Sequence, residues 1–458
     1  PRKIDSLNTF TNFALAVGLY RNRKNTTLRY FNTEQGAISK KIINLYKKIA
    51  RVINMKKKKY TVIDLFAGCG GLSLGLYQAG WQGIFAIEKN PCAYATLSYN
   101  LIEKKKHFNW PKWLPQEPLD IAEVNKTYSK QLKNLRGTVD LVAGGPPCQG
   151  FSMAGRRIED DVRNQLVFAY IDFISMVMPK ILLFENVKGF TYAFDKKKKP
   201  DAIPYSTIVI EKLQTLGYDV CPQIIDFSEF GIPQRRKRFI LVGVLNGEQN
   251  ISKDFLQKLK LNCKRFLKAQ KLPEHPTIGD AISDLLRSNG DVDTPDRKGF
   301  RSGIYGEPSN GYQEYMRKGI EVTIPQSHSF AHHCEEKTSC FKHLLSYYPV
   351  RNKRINGKER EEWGIHQRGL TILDKESIAP TITNMPDDYL HYQEPRIMTV
   401  RECARIQSFP DWYEFKSKYT TGGQMRKKEV PRYSQVGNAI PPLFAMQAGL
   451  VLKEMLQQ

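Results

Sequence analysis

The sequence predicts an α/β fold in which a mostly parallel sheet has helices on both faces and is joined to a smaller, irregular domain. Continuous runs of Val, Ile, Leu and Phe recur after residue 60 with helical stretches between them, as in parallel strands that are buried on both faces. This alternation stops near residue 246 and returns near residue 399. The predicted strands are 60–66, 83–88, 139–143, 181–185, 220–227 and 238–245.

Length and charge divide the chain into four parts. Its 458 residues are enough for two or three domains. Residues 1–59 carry 15 Lys or Arg against two acidic residues, and apolar residues recur there at helical spacing from 38 to 53. We predict a basic, partly helical extension over 1–59, a Rossmann-like domain over 60–245, a second domain over 246–375, and a segment over 376–458 that returns to the first domain and ends in a helix.

The net charge predicts a polyanionic partner. Its formal value of +24 favours nucleic acid over a membrane surface, so the basic helix of the extension is either a solvated helix or a nucleic-acid-binding arm. No apolar stretch reaches the ~18 residues that a membrane span needs. The eight cysteines form no C-x-x-C pair, which is typical of free thiols in a reducing compartment. We therefore predict a cytoplasmic protein without a membrane partner.

A rigid loop holds one cysteine at the end of a predicted strand. Residues 144–152 read G-G-P-P-C-Q-G-F-S and directly follow the apolar run 139–143. Each proline restricts its own backbone and that of the preceding residue, so neither a strand nor an ordinary helix continues here. Ligands bind at the carboxyl ends of the strands in open α/β sheets. Cys148 is therefore a candidate nucleophile.

The residues after the first two strands predict a nucleoside site. The turn 64–71 reads D-L-F-A-G-C-G-G, and its glycines allow a ligand to approach the backbone closely. Glu88 ends the second strand, where a carboxylate can accept hydrogen bonds from ribose hydroxyls, and Asp120 with Ile121 could hold an adenine. The turn alone is a weak indicator, because many nucleotide-binding folds share it. Neither a P-loop lysine nor a dinucleotide fingerprint is present, which favours a single adenosine unit.

Three further segments lie at or near the ends of predicted strands. They are E-N-V at 185–187, Q-R-R-K-R at 234–238 and G-N at 437–438. Each segment by itself is more often structural or solvated than functional. Together with Cys148 they indicate one site at one edge of the sheet.

In this order the segments resemble the signatures of the DNA (cytosine-5) methyltransferases of the bacterial and phage modification type. T-V-R-E-C-A-R-I-Q-S-F-P at 399–410 and G-N-A-I-P-P at 437–442 complete the set. The resemblance covers 60–245 and 377–455, and it implies a methyltransferase domain there. In this family the variable insert recognises the target sequence, so the resemblance also implies a DNA-binding, target-recognition domain over 246–375.

The resemblance implies transfer of a methyl group from S-adenosyl-L-methionine to carbon 5 of a flipped-out cytosine in a specific duplex sequence. Carbon 5 becomes nucleophilic once the thiolate of Cys148 adds at carbon 6. Protonated Glu185 is implied at ring nitrogen 3, and Arg238 with Arg236 at the carbonyl oxygen. Loss of the carbon 5 proton then expels Cys148, and no metal is required.

The same resemblance implies two binding sets and the enzyme's partners. The partners are double-stranded DNA and a cognate restriction endonuclease that belongs to the same system without stable binding, and the enzyme is a nucleoid-associated monomer. The cofactor-binding residues are Phe66, Gly68, Cys69, Gly71, Glu88, Asp120, Ile121, Pro147, Leu166, Asn438 and Ala439. The DNA-binding residues are Gln149, Ser152, Arg156, Arg157, Arg163 and Gln234. The alternative for the three arginines is a solvated loop.

Three other functions stay open on the sequence alone. A tRNA cytosine-5 methyltransferase would share F-E-N-V-K-G-F at 184–190, although G-F-S at 150–152 is typical of the DNA enzymes. A catalytically silent DNA-binding regulator is disfavoured by the intact Cys148 and Glu185. An amino-group methyltransferase usually has an aromatic residue after the double proline, where this chain has cysteine.

A histidine and cysteine cluster in the second domain resembles a zinc set. Its spacing is irregular and contains no C-x-x-C pair, and such motif matches are often false positives. We therefore predict that it binds no metal. The cluster comprises His332, His333, Cys334, Cys340 and His343.

Overall fold

The computed structural model describes residues 59–147, 165–193, 203–246, 252, 254–420, 425 and 429–457. The helix predicted at 38–53 and the loop segment 148–164, which contains Cys148, lie outside these residues. In the part of the chain that is described, no helix is both long and apolar enough to cross a membrane.

A six-stranded sheet lies at the centre of the structure. Its order is β2-β1-β3-β4-β6-β5, and β6 runs antiparallel to both of its neighbours while the other neighbouring pairs are parallel. This confirms the predicted Rossmann-like, mostly parallel fold, and each predicted run overlaps one strand. The strands are β1 (Thr61–Leu65), β2 (Gln82–Ile87), β3 (Leu141–Gly144), β4 (Ile181–Val187), β5 (Tyr218–Asp226) and β6 (Lys237–Leu245).

Helices follow the strands along the chain and cover the sheet. Asn90 and Asp120 cap two of them, because each side chain accepts a hydrogen bond from a backbone N–H of the first turn. A π-helical segment, Ser98–Lys104, continues the second helix. The helices of this part are α1 (Gly71–Gln78), α2 (Pro91–Leu97), α3 (Ile121–Thr127), α4 (Ser129–Asn134), α5 (Gln165–Val177) and α6 (Tyr205–Thr215).

The region after residue 246 has only short strands in its described part, together with helices of varied length. A three-stranded sheet of order β11-β10-β9 packs with α10 around a small core of its own that includes Phe341 and Leu344, and β7 pairs with β8. Its helices are α7 (Asp254–Gln270), α8 (Ile278–Ile282), α9 (Gly311–Met316), α10 (Glu335–Tyr347) and α11 (Gly357–Glu362). Its strands are β7 (Val292–Asp293), β8 (Arg301–Ser302), β9 (Arg354–Ile355), β10 (Leu370–Ile372) and β11 (Tyr389–Leu390).

In the described part of the C-terminal segment, the helices are α12 (Val400–Ile406), α13 (Arg432–Asn438) and α14 (Pro442–Met455). Every residue of α12 is buried. Helix α14 packs on α1 and on α7, so α7 contributes Leu259 and Leu267 to the same core as the sheet. The domain boundaries at 59, 245 and 375 stay a prediction.

Each face of the sheet has its own core, because alternate strand residues point to opposite faces. Leu141, Leu183 and Ile240 belong to the core on the side of α1 and α14. Val142, Leu182 and Leu241 belong to the core on the side of α5. Burial on both faces leaves the carboxyl edge of the parallel strands as the place for a site.

Candidate active site

A glycine-rich turn at the end of β1 starts the site. Phe66, Gly68 and Gly70 all have positive φ, at 56°, 57° and 88°, a region that glycine adopts without strain. A Cβ on Gly71 would lie 2.4 Å from the carbonyl oxygen of Ile440. The first turn of α1 is therefore packed directly against the segment that contains Ala439, and only glycine fits there.

Glu88 binds this turn from the end of β2. Its Oε2 accepts the N–H of Gly68 at 2.9 Å, and its Oε1 accepts the N–H of Asn90 at 2.6 Å. Burial raises the pKa of this half-buried carboxyl. Each oxygen keeps a lone pair for a further donor, so the carboxylate can bind the turn and a ligand hydroxyl at the same time.

Asp120 lies near the same turn, because the N–H of Leu119 donates to the carbonyl oxygen of Glu88 at 2.9 Å. Its carboxylate caps α3 at Ala122 and pairs with the Nζ of Lys89 at 2.7 Å. Burial by itself would raise the pKa of Asp120, but the hydrogen bonds from Lys89 and Ala122 lower it below the ordinary value. Ile121, the next residue, is buried in the core on the α5 side.

The remaining predicted cofactor residues come from four parts of the chain. Pro147 is exposed after β3, and Leu166 is half-buried at the start of α5. Asn438 is exposed and Ala439 is half-buried at the end of α13. Cys69 is buried, and its Sγ lies 3.4 Å from the carbonyl oxygen of Gln435 in α13. Burial raises the pKa of this thiol to about 12, so Cys69 is an uncharged packing group.

A buried ion pair joins β4 to β6. The Nε of Arg238 lies 3.1 Å from the Oε1 of Glu185, and both side chains are less than 15% exposed. Burial raises the pKa of Glu185, and the guanidinium groups of Arg238 and Arg236 oppose this shift only in part. Glu185 is therefore protonated more readily than an exposed glutamate, and its protonated carboxyl can act as a hydrogen-bond donor.

The strand that carries Glu185 also holds the start of the loop that leads to Cys148. The Nδ2 of Asn186 donates to the carbonyl oxygen of Pro146 at 3.3 Å. A Cβ on Gly145 would lie 2.6 Å from the Oε2 of Glu185, so the loop leaves β3 directly against the acid. Cys148, two residues after Pro146, lies outside the described residues. The sequence motif E-N-V pointed to Glu185, but the role of Asn186 depends on this contact.

Arg236 and Gln234 are buried beside this pair. The guanidinium of Arg236 donates to the carbonyl oxygens of Ile382 and Gly437. Gln234 is completely buried, its Nε2 donates to Gln407 at 2.9 Å and its Oε1 accepts the N–H of Ile382 at 2.9 Å. Its predicted contact with DNA stays a prediction, and the geometry favours a structural role.

The other predicted DNA-binding residues, Gln149, Ser152, Arg156, Arg157 and Arg163, lie outside the described residues.

The histidine cluster lies within the described residues. His332 stacks on Phe300 with ring centroids 4.2 Å apart, and His343 lies beside Trp363. Across the described ranges, no three His, Cys, Asp or Glu side chains are grouped as metal ligands.

Two buried groups were not singled out by sequence reasoning. The first is Asp64, in the D-L-F-A-G turn motif. It accepts a hydrogen bond from the Oγ of Ser73, and burial raises the pKa of its carboxyl to about 7.

The second is the ion network of Arg405. This arginine pairs with Asp284 at 2.6 Å and with Asp411 at 2.7 Å, and all three side chains are fully buried. The motif at 399–410 could have indicated Arg405, whereas Asp411, directly after that motif, and Asp284 become visible only in three dimensions.

Comparisons with known proteins give the family. The profile of the C-5 cytosine-specific DNA methylase family matches residues 60–454. The chain is 30% identical over 397 residues to the Type II methyltransferase M.DdeI of Desulfomicrobium norvegicum, covering 84% of this chain and 86% of that protein. It is 29% identical over 420 residues to the Type II methyltransferase M.XorII of Xanthomonas oryzae pv. oryzae, covering 84% and 83%.

A solved structure shares the fold. It is described as a DNA modification methyltransferase encoded within an Escherichia coli prophage, and it aligns with a TM-score of 0.56 and 24% identity over 87% of this chain and 100% of that chain. The family match and the relatives confirm the resemblance found in the sequence motifs. The chain therefore belongs to the C-5 cytosine-specific DNA methylase family and is a DNA (cytosine-5) methyltransferase.

Proposed function

We propose that the protein transfers a methyl group from S-adenosylmethionine to carbon 5 of a cytosine flipped out of double-stranded DNA, with Cys148 as the covalent nucleophile. The observation that carries this proposal is the buried pair of Glu185 and Arg238, 3.1 Å apart, directly against the start of the Cys148 loop. A pyrimidine ring that receives a thiolate needs a proton donor and a cation at its polar edge, and this pair supplies both.

The residues at the carboxyl edge fit S-adenosylmethionine. A Cβ built on Gly68 would meet no atom within 4 Å, so the backbone of the turn borders open space. Glu88 keeps acceptor capacity for ribose hydroxyls, and Asp120, Asn438 and Ala439 would hold the rest of the cofactor. When bound, the cofactor supplies an electrophilic methyl group.

Each protein group then has one task in the reaction. The thiolate of Cys148 adds to carbon 6, and the ring electrons move toward nitrogen 3 and the carbonyl oxygen. Protonated Glu185 donates to nitrogen 3, and Arg238 stabilises the negative charge on the oxygen. Carbon 5 would take the methyl group that the bound cofactor supplies, and nitrogen 3 returns its proton to Glu185. Water accepts the proton of carbon 5, and the electron pair of that carbon–hydrogen bond expels Cys148 as a thiolate. Asn186 keeps the loop that carries the nucleophile against the acid.

We infer that the enzyme acts as the modification enzyme of a restriction–modification system, because the relatives it matches include Type II methyltransferases. The enzyme acts as a monomer on the nucleoid in the cytoplasm, and residues 246–375 select the target sequence. A cognate endonuclease belongs to the same system and does not bind the methyltransferase stably. Bisulfite sequencing of DNA from cells that express the protein gives the methylated sequence. Methylation of tRNA without methylation of duplex DNA would instead support the tRNA enzyme.

Trapping of the covalent intermediate tests the mechanism. A duplex that carries 5-fluorocytosine at the methylated position cannot lose a proton from carbon 5, so the wild-type enzyme should remain attached to it under denaturing electrophoresis. Cys148→Ala should form no adduct and no product, yet still bind S-adenosylmethionine in calorimetry. A Cys148→Ala protein that still methylates DNA would contradict the assignment of the nucleophile.

A further inference from the structure

Arg236 lies two residues before the arginine that pairs with the catalytic acid, but its guanidinium binds other groups. It is 3% exposed. Its Nη1 donates to the carbonyl oxygen of Ile382 at 3.2 Å, and its Nη2 donates to that of Gly437 at 2.9 Å. Within the described residues it forms no ion pair. Both acceptors belong to the C-terminal part of the chain, so Arg236 joins the strand of the base pocket to two distant segments.

One of these segments is the end of α13. The last carbonyl groups of a helix have no partner within the helix. The carbonyl oxygen of Gly437 accepts from Arg236, and that of Val436 accepts from the Nε2 of Gln407 at 2.8 Å. Asn438 and Ala439, which we assign to the cofactor, follow directly. The position of these two residues therefore depends on Arg236, beside the base pocket, and on Gln407, which directly follows α12.

The second segment, around Ile382, packs tightly between the motif 234–238 and the end of α13. The N–H of Ile382 donates to Gln234 at 2.9 Å, so Gln234 and Arg236 together bind both backbone groups of this residue. A Cβ on Gly437 would lie 2.3 Å from the carbonyl oxygen of Thr383. The motif 234–238, the segment around Ile382 and the end of α13 thus form one rigid contact.

We propose that Arg236 is a positioning residue that fixes the cofactor-side end of α13 against the target-base pocket, and that it does not touch the cytosine. The inference rests on the proposed function, because it assumes that S-adenosylmethionine binds beside Asn438. Arg236 has two neighbouring donors in one plane, which match two carbonyl oxygens at once, whereas lysine presents a single charged nitrogen. Arg238 keeps the contact with Glu185 and with the base.

The substitutions Arg236→Lys and Arg238→Lys in the full chain separate the two roles. Binding of S-adenosylmethionine is measured by calorimetry without DNA, and kcat is measured with target duplex at saturating cofactor. For Arg236→Lys we expect the Kd of the cofactor to rise about tenfold, the loss of about one well-placed hydrogen bond to a charged group, while kcat falls less than about threefold. For Arg238→Lys we expect the Kd to stay within about twofold and kcat to fall about 100-fold.

A second variant keeps the test independent of Arg236 itself. Gln407→Leu removes the side-chain donor to the carbonyl oxygen of Val436, which keeps its hydrogen bond from the N–H of Ala439 at 3.2 Å. This variant should also raise the cofactor Kd without a comparable loss of kcat, and each variant is checked for folding by circular dichroism. A lower kcat with an unchanged Kd in Arg236→Lys would place Arg236 on the base and overturn the proposal, as would unchanged values of both. A wild-type enzyme that binds no S-adenosylmethionine would overturn the proposed cofactor instead, so the two failures are distinguishable.

Discussion

Two glutamates at the same edge of the sheet differ in chemistry because their neighbours differ. Burial raises the pKa of both Glu88 and Glu185. Glu88 accepts two backbone N–H groups, which suits a carboxylate that organises a binding turn. Glu185 faces a guanidinium and a loop that leads to a thiol, which suits an acid that hydrogen-bonds a reacting ring. The local partners, and not the residue type, distinguish the glutamate that we propose as the catalytic acid from the one that organises the turn.

The protonation of Glu185 predicts a pH dependence. The raised pKa keeps the carboxyl protonated to higher pH than an exposed glutamate, and kcat should fall as the pH rises through that pKa because the proton donor is lost. Glu185→Gln cannot transfer a proton, so we expect kcat to fall about 100-fold and this limb of the pH profile to disappear. Steady-state methylation assays across pH measure both effects.

A matched variant separates this effect from a general loss of charge. Glu211, on α6, is exposed, and Glu211→Gln should keep the wild-type kcat and pH profile. If Glu185→Gln kept the alkaline limb, another group would be responsible for it, and Glu185 would lose its assignment as the acid.

At the scale of elements, the cofactor turn and the C-terminal helix are a single packed unit. Helix α1 and α14 come from opposite ends of the described chain and lie against each other. Two glycines of α1 make the close approach possible: a Cβ on Gly71 would lie 2.4 Å from the carbonyl oxygen of Ile440, and one on Gly75 would lie 2.4 Å from the Cβ of Ala445. The proposed cofactor site thus depends on helix packing as well as on the turn.

Alanine at these two glycines should have different effects. Both Gly71→Ala and Gly75→Ala should lower the free energy of unfolding by about 1–3 kcal/mol through overpacking. Gly71→Ala should also raise the Kd of S-adenosylmethionine several-fold, because it moves the turn away from Ala439. Denaturant titration and calorimetry measure the two quantities. Equal cofactor affinity in the two variants would mean that the contact between the turn and Ile440 does not shape the site.

At the scale of the whole molecule, a buried ion network joins the region after residue 246 to the C-terminal segment. Asp284, which follows α8, and Asp411, which follows α12, both bind Arg405. Burial by itself would raise the pKa of Asp411, but Arg405 and Arg401 lower it below its ordinary value. The carboxylate therefore contributes stability that is present at neutral pH and lost as the pH falls through its lowered pKa.

Breaking this network should destabilise the fold as a whole. Asp284→Asn leaves the buried guanidinium with one carboxylate, and we expect the free energy of unfolding to fall by about 3–5 kcal/mol. Asp291→Asn is the control, because Asp291 binds Arg287 and Arg301 at the surface with 36% of its side chain exposed, and surface pairs contribute about 0–1 kcal/mol. Urea titration at neutral pH compares the two. A loss below about 1 kcal/mol in Asp284→Asn would show that the network is not needed for stability.

The sheet and much of the site were predictable because their signals are local. Continuous apolar runs predicted all six strands of the sheet, and the glycine, proline and acidic motifs predicted the edge at which Glu88, Glu185 and Arg238 lie. Two features were not predictable. The antiparallel direction of β6 depends on its pairing with both β4 and β5, and the orientation of Arg236 depends on carbonyl groups 146 and 201 residues away.

The sequence by itself determined the fold class, the family and the types of residue that the chemistry needs, because periodicity and short motifs are properties of neighbouring residues. Only the tertiary structure decided how these residues divide the work. It pairs Glu185 with Arg238 and joins Asn186 to the loop of Cys148. It also buries the side chains of Gln234 and Arg236 in the interior of the protein. The physical reason is that a buried polar group must find partners wherever the fold supplies them, and no local pattern states which distant carbonyl or carboxylate that will be.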